Sequence, residues 1–172
     1  RCLTNLRFGT TPVTNQANPP DGVDPFDLQR FVVAQQDNYD DAIREIRQGQ
    51  KRSHWMWYVF PQLRGLGSSS TSEFYSIKSL EEATRYLQHP LLGKRLRECA
   101  SALLSISDRS PTEIFGSPDD MKLHSSMTLF SVITDTDDSL FQQVLKKFFH
   151  GQTDSRTEMI LATMRQNSNA KS

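Results

Sequence analysis

Cysteine is scarce in this chain: two among 172 residues, Cys2 and Cys99. Cys2 falls in a stretch of Thr, Asn, Pro and Gly, and Cys99 on an apolar helical face, so no bridge between them is expected. That usage suits a reducing, cytoplasmic setting. No apolar run reaches the ~20 residues of a membrane span, and no long apolar stretch opens the chain as a signal peptide would. Neither sign of charge dominates, with 20 Lys and Arg against 20 Asp and Glu. The balance, and the lack of a basic stripe, argue against a nucleic-acid binder that works by bulk electrostatics.

Standard chemical signatures are missing as well. Gly65-Leu66-Gly67 lacks the third glycine and the preceding strand of a phosphate loop. No CxxC, HExxH, EF-hand or G-x-S-x-G pattern occurs. The four histidines, His54, His89, His124 and His150, stand singly. No metal and no cofactor are therefore expected.

What is present is helical period and helical punctuation. Residues 1–25 read as a flexible lead ending at Pro25, followed by one all-α domain over 26–165 and a polar tail over 166–172. Asp27 is placed to cap a helix that buries Phe31 and Val32. Tyr39, Ile43 and Ile46 mark the next, with Asp40 and Arg44 as an i, i+4 pair and Gly49 as its stop. His54 to Phe60 reads as a short helix ending before Pro61, and 63–72 as a loop. Ser79 and Glu82 form a capping box, as do Ser110 and Glu113 with Pro111 at N1. Ser117-Pro118-Asp119-Asp120 repeats that signature. Leu92, Leu96, Cys99 and Leu103 give the clearest apolar stripe. Asp137 or Asp138 and then Asp154 cap the last two helices, with Gly151 as a stop between them. The sum is a single compact all-α domain of eight or nine short helices.

Two stretches carry more polar chemistry than a core needs. The first is KRSHWMWYVFPQLRGLG, residues 51–67, which holds both tryptophans. In it Trp55 and Trp57 are either buried anchors or stacking platforms for a planar ligand. His54 supplies a titratable donor, Lys51 and Arg52 an anion contact, and Gln62 an amide that reads a donor–acceptor pair. The second is the helix opened by Asp119. Asp120, His124 and Thr128 fall at i, i+4, i+8 there, with Lys122, Ser125 and Ser126 on neighbouring lines. Asp120 as a cap and Ser125 and Ser126 as hydroxyls bonded to i−4 carbonyls are the bland alternatives. Lys122 and His124 are polar groups that a cap does not need, and a core-crossing helix carries them at a cost. His89, at a helix–helix break, is read as a C-terminal cap of the helix before it.

The motifs FDLQRFVVAQ, YDDAIREIRQGQKRSHWMWYVFPQLRGLG, FYSIKSLEEATRYLQHPLLGKRLRECASALL, IFGSPDDMKLHSSMTLF and FFHGQTDSRTEMIL, in this order, resemble the DUF-type family numbered 1810. The resemblance covers Phe26 to Leu161. It implies an all-helical cytosolic domain and no established reaction; the label "calpastatin" on some members does not suit a chain patterned to fold. A fainter likeness, in HPLLGKRLRECASALL, is to the N-glycosidase family acting on ADP-ribose and riboflavin-pathway intermediates, and carries over no residue.

The expected function is a polar–aromatic pocket between the two stretches, lined by Lys51, Arg52, Trp55, Trp57, Gln62, Lys122 and Ser125. Its partner would be a planar, anionic small molecule such as a nucleotide or ADP-ribose-like compound. Were it hydrolysed, His54, Asp120 and His124 would be the catalytic groups. The alternative is a protein–protein interaction module that presents its indoles as a hot spot.

Overall fold

The computed structural model describes residues 22–134, 136 and 139–170. Among these the chain forms ten α-helices, with one isolated bridge between Leu63 and Ile77 in place of a sheet. The helices are α1 Gln29–Gln36, α2 Tyr39–Arg47, α3 Met56–Val59, α4 Ser70–Phe74, α5 Leu80–Gln88, α6 Leu92–Leu104, α7 Pro111–Phe115, α8 Asp119–Thr134, α9 Leu140–Phe149 and α10 Ser155–Asn169. The all-α expectation holds. None of these helices is long and apolar enough to cross a membrane.

The middle of the fold is α8. Every residue from Ser125 to Ser131 is buried, because α5, α7, α9 and α10 all pack on it. A helix apolar or hydroxylated on every side has to be surrounded in this way. Ser125, Thr128 and Ser131 reconcile their hydroxyls with that burial by donating to carbonyls three or four residues back, as does the half-buried Thr134. Ser126 does not follow them: its Oγ is buried with no partner among the described residues.

Caps explain most boundaries. The Ser110–Glu113 box is complete, and Ser79 and Asp154 accept from the N3 amides of α5 and α10. Other local expectations are corrected. Asp27 does not cap α1; it sits at φ 50°, and Asp24 Oδ2 accepts from Gln29 N at 2.8 Å instead. Arg44 pairs with Asp41 rather than Asp40. The loop expected at 63–72 contains the start of α4, capped by Ser69. α9 is capped by Ser139; Asp137 and Asp138 lie outside the described residues, as does the lead up to residue 21. α10 continues to Asn169, so residues 166–169 are helical rather than tail.

His89 departs in a more informative way. It ends α5, as expected, but its side chain turns forward. Nδ1 accepts from Leu91 N and Leu92 N at 3.2 Å each, so the ring satisfies the first amides of α6.

Glu82 is the third residue of α5, yet its carboxylate does not close the expected box. It accepts from Lys78 N and from Arg30 Nη2 at 2.5 Å. Arg30 is buried and spends its fork on five acceptors: Phe26 O, Asp27 O, Phe74 O, Ser76 O and Glu82. A buried charge is tolerable only when paired and bonded throughout, and here it is.

Candidate functional site

The path to the site begins at Glu45, on the buried face of α2. Its carboxylate accepts from Arg52 N, Ser53 N, Ser53 Oγ and Trp55 Nε1. Burial would push this carboxyl up; four donors outweigh that and hold it down at about 2. The segment before α3 is therefore wrapped around a fixed negative charge. Trp55 is drawn into the core, fully buried between Phe60 and Phe115 at centroid separations of 6.3 and 6.2 Å. Two residues on, Trp57 points elsewhere, since neighbours at i and i+2 do not share a helix face.

Trp57 faces a cleft of about 350 Å³. One wall is α8, through Met121, Lys122 and Ser125, with Pro118 just before it. Gln62 and the turn at 66–69 face it, and Asp154 and Arg156 at the start of α10 close one end. Gly67 is obligatory in that turn, because a Cβ there would stand 2.6 Å from Ser72 Cβ.

Two contacts join the segments that the sequence sets some sixty residues apart. Gln62 Nε2 donates to Ser125 Oγ at 2.6 Å, and Lys122 Nζ lies 4.8 Å from the Trp57 ring centroid. Ser125 Oγ also donates to Met121 O at 3.0 Å. Its one hydrogen is thus committed, so it is an acceptor and a spacer, not a poised nucleophile. Among the described residues Gln62 Oε1 and its second N–H have no partner and remain as a donor–acceptor pair in the lining of the same cleft.

Lys122 has a second engagement. Asp119 accepts from Lys122 Nζ at Oδ1 and from Lys51 Nζ at Oδ2, each at 2.8 Å. Burial raises the Asp119 carboxyl, but the hydrogen bonds from Lys122 and Lys51 prevail and leave it below its ordinary value.

The remaining expected site residues lie apart from the cleft. Lys51 points to Asp119 and lies 5.3 Å from the Trp55 ring. Arg52 is exposed and donates to Gln50. His54 is exposed, and among the described residues only its carbonyl is hydrogen-bonded, by Tyr58 Oη at 3.0 Å. Asp120 accepts from Thr112 Oγ1 and Met121 N. His124 stacks on Phe149 at 4.1 Å and 4°, its Nε2 2.8 Å from Gln152 O. His54, Asp120 and His124 therefore do not converge on the cleft. In the other direction, Arg156 and Asp154 line it without having been expected there, and so do Ser68, Ser69 and Ser72, from a Ser/Thr-rich loop expected to flank the aromatic cluster only in the interaction-module alternative.

A roomier cleft, about 580 Å³, lies between residues 23–29 and α5. Its walls mix Val23, Pro25, Phe26 and Leu28 with the charged Asp24, Glu81 and Arg85; its histidine, His89, is committed to α6, and it borders residue 22, where the described chain begins. The smaller cleft is where the two polar–aromatic stretches meet, with Trp57, Gln62, Lys122 and Ser125 in its lining, which makes it the candidate. No cluster of three metal-ligating side chains occurs among the described residues.

Most of this helical domain matches a known family. Residues 25–161 match the protein family of unknown function DUF1810, and the chain belongs to it. A solved structure similar to this chain is the conserved hypothetical protein Rv1873 from Mycobacterium tuberculosis, at 55% identity and a TM-score of 0.78, over 81% of this chain and 99% of that one. A search of curated proteins finds no match.

Proposed function

We propose that this protein binds a small, planar, anionic ligand in the Trp57–Lys122 cleft, with a nucleotide or ADP-ribose-like compound as the ligand class. The observation that carries the proposal is the meeting of an accessible indole, an ammonium and a side-chain amide within one cleft. The indole offers a stacking surface, Gln62 a donor–acceptor pair for a ring edge, and Lys122 with Arg156 the charge for a phosphate. The low cysteine content and the free, buried Cys99 support a cytoplasmic setting. Because His54, Asp120 and His124 lie off the cleft, the proposal is one of binding and includes no hydrolytic step. An interaction module displaying both indoles is less well supported, since Trp55 is fully buried.

A thermal-shift screen against nucleotides and sugar phosphates tests this, since a ligand at a hundred times its Kd stabilises by about 2.7 kcal/mol. For a compound that scores, calorimetry should show at least a tenfold loss of affinity, about 1.4 kcal/mol, in Trp57→Ala and in Lys122→Ala. Unchanged affinity in both folded variants removes the cleft from consideration.

A further inference from the structure

We infer that Asp119 and Lys51, neither of which lines the cleft, set its affinity for anions through Lys122. The inference rests on the binding site proposed above, and concerns how that site is charged. One carboxylate serves two ammoniums, one on each oxygen at 2.8 Å. If Asp119 served Lys122 alone, the pair would be neutral, and an anion would have to compete with the carboxylate for the ammonium. With Lys51 on the second oxygen, the group of three carries one net positive charge. Asp119 also stays neutralised when Lys122 turns toward a ligand.

Lys51 is built to remain in place. Its side chain is 9% exposed against 18% for Lys122. Its ammonium lies over the Trp55 ring, and its backbone N–H donates to Ile114 O at 2.7 Å. Trp55 in turn is tethered to Glu45. Of the two lysines, only Lys122 reaches the cleft. Lys51 is thus a positioning residue: it holds the shared carboxylate so that Lys122 is releasable.

The arrangement makes opposite predictions for two adjacent residues. Asp119→Asn raises the local charge and frees Lys122. Lys51→Met leaves Lys122 bound in a neutral pair. Iodide is a suitable anion probe, because Trp55 is fully buried and collisional quenching therefore reads Trp57. Acrylamide, uncharged, corrects for accessibility, and potassium chloride holds the ionic strength constant. The ratio of iodide to acrylamide quenching constants should rise about twofold in Asp119→Asn and fall about twofold in Lys51→Met and in Lys122→Met. It should return to the wild-type value in the double variant Lys51→Met, Asp119→Asn, which keeps a single positive charge. Trp57→Phe should abolish the iodide-sensitive fraction. Should Lys51→Met fail to fold, Lys51→Gln takes its place, and Asp119→Asn and Lys122→Met, which should move the ratio in opposite directions, still carry the test. A ratio indifferent to these changes, or moving the same way in Asp119→Asn and Lys51→Met, overturns the inference and leaves the ligand site standing. A wild type that binds no nucleotide removes the ligand class and leaves the charge arrangement intact.

Discussion

Glu45 accepts the indole N–H of Trp55 at 2.8 Å, from a helix that ends before the tryptophan's own segment begins. This bond, with three more to Arg52 and Ser53, decides which of the two indoles enters the core.

The first prediction concerns acid. The Glu45 carboxyl is lowered from 4.5 to about 2, so the unfolded chain takes up its proton first. The stabilisation is complete above about pH 4.5 and is lost as the pH falls toward 2; its size is about 3 kcal/mol. Glu45→Gln should therefore be markedly less stable than wild type in urea at pH 7. The gap between the two should narrow as the pH is lowered through 4 to 3. A gap that stays constant with pH would show that the charge of Glu45 contributes nothing.

The second prediction concerns the α5–α6 junction. His89 accepts with Nδ1, which requires the neutral ring, and burial lowers its pKa against the opposing pull of Asp24. The folded state thus disfavours the proton. This contribution is present above the unfolded value of 6.5 and fades as the pH falls below it. Replacing His89 by Ala should cost about 1 kcal/mol at pH 7.5, as for the loss of an N-cap, and less at pH 5.5. Equal cost at both pH values would mean that the ring acts by its bulk alone.

The third prediction concerns Gly93. A Cβ at this position would lie 1.9 Å from Leu87 O, a backbone atom that cannot rotate away. Gly93→Ala should destabilise by about 2 kcal/mol or more, despite the better helix propensity of alanine, because α5 and α6 must separate to admit it. A melting temperature equal to wild type would show that the junction yields freely.

Helix type and most caps were legible because each is a local matter of period and of a hydroxyl or carboxylate three residues from an amide. Ser110 with Glu113 and Asp154 with Thr157 illustrate it. Asp27 misled because Asp24, three residues earlier, reaches the same amide once the chain turns through a left-handed residue. The site was half legible. Trp57, Gln62, Lys122 and Ser125 do meet, as expected of polar groups with no local use. His124 had a use invisible in sequence: Phe149 and the Gln152 carbonyl, on a distant helix and the turn after it, take up its ring. Arg156 escaped notice because only tertiary folding brings the start of α10 to α8.

The five acceptors gathered by Arg30 belong to three stretches of chain: the entry to α1, the end of α4 with the turn after it, and α5 itself. None of these can detach alone without stranding a guanidinium in a dry interior. Their amides should consequently exchange with deuterium together, as one cooperative unit, and the short fourth helix should gain protection that five residues could never sustain unaided.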